Sequence, residues 1–210
     1  MSTRRRRRPQ VPMAQRRAEL TEAALRVMAR DGAWALTTRA LAAEAGLAHG
    51  SVHYAFSSKA EIVRAVIAAD TESAVQIFST VGAGGGGARE VLEHAFSAFV
   101  ERILSHPQTE LVLYELTLMA VRDPDLGALL AESGASYTSS LGRLLEELAG
   151  RCGGAWDAPV QVIVEQLLSL LFGSAQSWLA HRDEVLLRAT LDDAARVFAG
   201  RLQVPAPPHT

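Results

Sequence analysis

Apolar residues along this chain recur at intervals of three and four, and strict alternation in twos is scarce, so helices are predicted throughout. From Met13 to Asp31 the inward set is Leu20, Ala23, Ala24, Val27 and Met28, and Gly32 supplies a stop. A short second helix opens at Thr38 behind a hydroxyl cap at Thr37. Leu41, Ala42 and Ala45 form its thin apolar face, and Gly46 ends it. A third runs from about Ala48 to Ala55 with Val52 turned inward. Ser57 or Ser58 then caps a long fourth helix, about Ser58–Thr80, carrying Ile62, Val63, Val66 and Ile67 inside. The run Val81–Gly87 is too rich in glycine to continue it, and composition puts a domain break there.

Beyond that run the same period predicts helices over about Ala88–Ser105 and Gln108–Val121. Asp123 as cap with Pro124 in first position starts another, ending near Gly150. After a loop at Arg151–Ala158, two closing helices cover about Pro159–His181 and Asp183–Leu202. The fold class is all-α, with about nine helices.

Two short helices joined by a glycine turn, as in Leu36–Lys59, form the unit whose second helix enters the DNA major groove. The same pattern also serves as plain packing in all-α cores. In the DNA-reading case, His49, Gly50 and Ser51 occupy the first turn of the reading helix, nearest base edges, with His53 and Tyr54 one turn on. Lys59, at the start of the next helix, adds charge where phosphate is already attracted.

The run AGLAHGSVHYAFSSK and the preceding LTTRALA resemble the most recognisable segment of the TetR family of bacterial transcriptional repressors. The resemblance is motif-specific over roughly Arg17 to Val66 and architectural beyond. It implies that Arg39 contacts base or phosphate and Thr38 contacts phosphate. Many relatives place tyrosine where this chain has His53, so that phosphate contact has a shorter reach here. The implied organisation is an arm at 1–12, a three-helix DNA-binding domain at 13–58 and a connecting helix at 59–81. A ligand-binding and dimerisation domain at 88–203 and a tail at 204–210 complete it. The implied partners are double-stranded DNA, a second copy of the chain and a small apolar effector that releases a repressor from a palindromic operator. A regulator that binds DNA without small-molecule input, and more remotely a helical enzyme, are the rival readings.

Charge is distributed unevenly. Residues 1–64 carry 12 Lys and Arg against 5 Asp and Glu, whereas residues 65–210 carry 9 against 18. A basic front and acidic remainder suit one part that meets polyphosphate and one that does not. Five of those basic residues are Arg4–Arg8, an arm expected to stay unfolded until it finds the minor groove or the phosphates. Cys152 is the only cysteine, which fits a reducing cytoplasm, and the charged N-terminus lacks the apolar stretch of a signal peptide. Polar residues interrupt Val160–Ala180, so a buried or interface helix is expected there and not a membrane span.

No phosphate-cradling loop, H-E-x-x-H motif or spaced metal-ligand set occurs, so no catalytic residue, cofactor or metal is assigned. An apolar pocket with few polar groups is the usual small-molecule site. Phe99, Tyr114, Glu115, Met119 and Trp178 are the candidate lining, each as readily a core residue. The penultimate helix is apolar on more than one face. Leu167, Leu171 and Ala175 on it, with Leu191 and Phe198 on the last helix, are the candidate dimer contacts.

Overall fold

The computed structural model describes residues 12–82 and 85–204, so the Arg4–Arg8 arm and Pro205–Thr210 lie outside the described residues. Nine α-helices occur among them: α1 (Met13–Asp31), α2 (Thr38–Glu44), α3 (His49–Ala55), α4 (Lys59–Gly82), α5 (Ala88–Ser105), α6 (Pro107–Ala120), α7 (Pro124–Arg151), α8 (Val160–His181) and α9 (Glu184–Gly200). Two compact units divide between Val66 and Ile67, inside α4 and ahead of the glycine run. Helical hydrogen bonding carries the chain through the division, which is why composition does not mark it.

In the first unit, α1, α2 and α3 enclose Leu20, Val27, Leu36, Leu41, Val52, Phe56 and Ile62, all essentially without solvent contact. Thr37 accepts the Ala40 N–H at 3.0 Å, satisfying an amide that the first turn of α2 leaves open. Gly46 has φ of +62°, the left-handed geometry that a residue without Cβ reaches most cheaply. Leu47 N–H returns to Ala42 O at 2.9 Å, so the turn between α2 and α3 is closed by backbone bonds.

In the second unit, α5 lies most extensively against α9, and α8 packs on α7 and α9. Its core joins Phe96, Phe99 and Ile103 of α5 to Ile163, Leu167, Leu171 and Ala175 of α8 and Leu191 and Phe198 of α9. Among the described residues α8 alone is long and apolar enough to cross a membrane, and its buried stripe is committed to this core. Two short strands escape the helical period. Strands β1 (Ala155–Trp156) and β2 (Leu202–Gln203) pair antiparallel, so α9 stops at Gly200, short of Leu202. A Cβ on Gly154 would stand 2.7 Å from Gln203 O, and Trp156 Nε1 donates to Leu145 O at 3.0 Å.

Candidate nucleic-acid interface and internal cavity

Helix α3 divides cleanly by phase. Val52 and Ala55 are buried, while His49, Gly50, His53 and Tyr54 face solvent, Tyr54 to 77%. Ser51 is half-buried at the edge of that face. A tyrosine held this far out on a short helix has no packing role among the described residues. His49 Nε2 lies 3.0 Å from Thr38 Oγ1, joining the start of α3 to the start of α2. The His49 and His53 rings meet edge to face at 4.7 Å, as expected one turn apart. Arg39 and Lys59 are exposed.

Two residues outside that face fix its orientation. Arg17 of α1 donates to Ala55 O at the end of α3 and to Glu61 Oε1 of α4 at 2.8 Å, and its guanidinium lies 4.4 Å from the Phe56 ring centroid. Glu61 also accepts from Ser57 N–H at 2.7 Å and Ser57 Oγ at 2.9 Å, while Ser58 Oγ accepts from Glu61 N–H at 3.2 Å. This reciprocal cap locks the α3–α4 corner. The Ser57 N–H foremost, and Arg17 after it, hold the Glu61 carboxyl down at about 2 instead of its ordinary 4.5.

A depressed carboxyl contributes stability above its ordinary pKa and loses it as pH falls through the folded value. Acid between about pH 4.5 and pH 2 should therefore destabilise the native chain more than Glu61→Gln, whose cap no longer titrates. Denaturant unfolding at both ends of that range measures the difference. Equal acid sensitivity of the two proteins would rule out the linkage.

Within the second unit a cavity of about 390 Å³ opens among α4, α5, α6, α7 and α8. Its wall is mainly apolar and aromatic: Phe78, Phe99, Tyr114, Tyr137 and Phe172, with Ile67 and Ile77. Three charged side chains interrupt it. Arg102 Nη1 donates to Asp70 Oδ1 at 2.9 Å, and Arg102 Nη2 makes an ion pair with Glu110 Oε1. Glu110 is only 3% exposed, so its Oε1 faces the Arg102 guanidinium away from water. Burial pushes the Asp70 and Glu110 carboxyls up more than Arg102 pulls them down. It also raises both the Tyr114 and the Tyr137 phenols to about 12, so both stay neutral.

A family model for bacterial regulatory proteins of the tetR family matches residues 20–66, the span holding α2, α3 and the start of α4. A second, for the tetracyclin repressor-like C-terminal domain, matches residues 87–158, and the two together cover more than half of the chain. The chain belongs to the TetR family. It is similar to the HTH-type nicotine-responsive transcriptional repressor HdnoR of Paenarthrobacter nicotinovorans, at 29% identity over 136 residues, 65% of this chain and 70% of that protein. A solved TetR-family structure from Rhodococcus sp. shares the fold at a TM-score of 0.78 and 21% identity, covering 89% of this chain and 99% of its own. The fatty acid degradation regulator FadR from Bacillus halodurans does so at 0.75 and 16%, covering 96% and 100%. This TetR-family chain is thus a transcriptional regulator and not an enzyme.

The structure brings Thr38 beside His49 and gathers His49, Gly50, His53 and Tyr54 on one open face. Of the residues expected around a pocket, Phe99 and Tyr114 line the cavity, whereas Glu115, Met119 and Trp178 do not. Trp178 follows Phe172 by six residues, about 240° round the helix. It points into the core, with Arg182 stacked 4.5 Å from its ring. The dimer candidates also need correction. Leu167, Leu171, Ala175, Leu191 and Phe198 are buried within a single chain, because that stripe is the inward phase of both helices. The outward apolar residues are Val162 and Phe172 on α8 and Val185, Leu186 and Val197 on α9. No sequence pattern singles out Arg17, Asp70, Arg102 or Glu110, since each resembles an ordinary helix-surface charge until its partner is known.

Proposed function

We propose that this regulator is a ligand-responsive repressor, binding a palindromic operator as a two-fold dimer and leaving it when a small molecule fills the cavity. The observation that carries the reading is the open polar face of α3, with Arg39 and Lys59 exposed beside it. In a symmetric pair, each α3 reads one half-site, the two roughly 34–36 Å apart or a multiple of that. His49, Gly50 and Ser51 reach base edges; Thr38 and Lys59 hold phosphate; His53 and Tyr54 meet phosphate or a thymine methyl; Arg39 contacts base or phosphate. The Arg4–Arg8 arm follows the backbone or the adjacent minor groove, and the cell compartment is the cytoplasm. Val162 of α8 and Val185, Leu186 and Val197 of α9 form the dimer contact.

Release needs a route from cavity to operator. Helix α4 begins at Lys59 beside the reading helix and supplies Asp70, Ala74 and Phe78 to the cavity wall. A ligand acts only through its better fit to one arrangement of that helix, a coupling of typically about 1–3 kcal/mol. The relative that is named as a nicotine-responsive repressor supports both repression and a small-molecule signal. The rival, a regulator without an effector, fits a cavity closed by side chains, and one of about 390 Å³ favours the ligand-responsive reading.

Selection from random oligonucleotides should recover a palindrome. On it, Ser51→Ala or His49→Ala is expected to cost about 1–3 kcal/mol and relax preference at one position. Lys59→Ala is expected to weaken all sequences alike and flatten the salt dependence of log affinity by about one. Recovery of no sequence, or equal behaviour of all three variants, would rule out α3 as the reading helix.

A further inference from the structure

We propose that the cavity selects an organic monocation, a protonated amine or quaternary ammonium on a compact aromatic or apolar body. This deepens the reading of the cavity as the effector site and rests on it. The charged wall is one guanidinium between two carboxylates: Asp70 from α4, Arg102 from α5 and Glu110 from α6. The other titratable groups facing them are the Tyr114 phenol of α6 and the Tyr137 phenol of α7, both neutral. Arg102 balances one carboxylate. The second must take up a proton or acquire a cation, because an unpaired buried charge is costly.

The deficit belongs to the cluster as a whole, because Asp70 Oδ1 and Glu110 Oε1 share the one guanidinium in a wall that is otherwise mainly apolar. A cationic ligand takes the place of the proton. An anionic ligand would have to pull Arg102 from Asp70 or Glu110 and strand a second carboxylate. A neutral ligand leaves the deficit as it was. The aromatic faces reinforce the choice, since Phe78, Phe99, Tyr114, Tyr137 and Phe172 surround the space and ring faces attract cations. At about 390 Å³, near the lower end of ordinary ligand sites, the cavity suits a compact body and not a long acyl chain.

Calorimetry on the full chain with three probes of one shape class tests this: benzyltrimethylammonium, its uncharged isostere neopentylbenzene, and phenylacetate. The first carries a fixed charge and no proton of its own. It should bind at least about tenfold more tightly than neopentylbenzene, with phenylacetate weakest, and its binding should release protons, seen as heats that vary with the buffer's ionisation enthalpy. Asp70→Asn and Glu110→Gln should each bring its affinity down to that of the isostere measured on the same variant and abolish the proton release. Should either variant misfold, preference and proton release in the native chain still decide. Equal or tighter binding of neopentylbenzene or phenylacetate overturns the monocation assignment, as does a cation preference that survives both substitutions. If neopentylbenzene also releases the selected operator without any cation preference, the effector reading stands and only the monocation falls; binding by none of the three overturns both.

Discussion

Arg102→Met is expected to destabilise the second unit by about 3 kcal/mol at neutral pH, and by far less in acid. Removing one partner of a buried ion pair strands the other, and here one guanidinium serves two carboxylates. The lower end of the usual range applies, because Asp70 keeps partial access to water. The sign with pH follows from the direction of the shifts. Both carboxyls already sit above their ordinary values, chiefly through burial. A carboxyl raised on folding supports the native state below its unfolded pKa and costs stability as pH rises towards the folded one. Without Arg102 the two values climb further, so the deficit opens above about pH 4 and widens towards neutrality. Urea unfolding of the variant across that range measures it. A penalty independent of pH would assign the loss to packing of the Arg102 stem against Phe99, which the guanidinium overlies at 5.9 Å. Adding Asp70→Asn and Glu110→Gln to the variant should recover much of the stability, since a polar cluster removed together costs less than one broken.

How far the sequence speaks depends on whether a signal is local. Thr37, Gly46, Asp123 and Pro124 act within one turn of their own position, and the helices they bound lie where the 3.6-residue period puts them. The outward set on α3 was legible for the same reason: Val52 fixes the inward phase, and His49, Gly50, His53 and Tyr54 follow. The cavity was legible only in part. Which side chains share it depends on how five helices rotate against one another, and no single helix records that. Phe99 and Tyr114 fall on it; Glu115, one residue on, is turned about 100° away. Glu110 carried a faint signal, a charge in phase with Leu113, Tyr114 and Thr117 along α6, but its partners lie on α4 and α5 and share no spacing with it. The pairing of β1 with β2 was silent, because two residues on each side are too few for a period.

Leu167→Ala should cost the second unit about 2–5 kcal/mol while leaving the monomer–dimer equilibrium of the folded protein unchanged. Leu186→Glu combined with Val197→Glu should do the reverse. Helix α8 is apolar over more than one face, so composition alone cannot separate the stripe that builds the protomer from the one that meets a partner. Burial identifies the first of them. Leu167, Leu171 and Ala175 of α8 lock against Ile103 of α5 and Leu191 and Phe198 of α9 in one continuous core. Deleting three carbons from Leu167 leaves a cavity there whose cost is independent of protein concentration. Leu186 and Val197 are more than half exposed, and a carboxylate on either is solvated in the isolated chain. Facing a two-fold partner, each charge would lose that water and meet its own copy nearby, at a cost large enough to disperse the pair. Unfolding curves at two protein concentrations, with sedimentation of each variant, keep the two effects apart. If the double glutamate variant stays dimeric, the contact between copies uses other surfaces than α9. Loss of the dimer in folded Leu167→Ala would instead mean that the inner stripe and the interface are mechanically one.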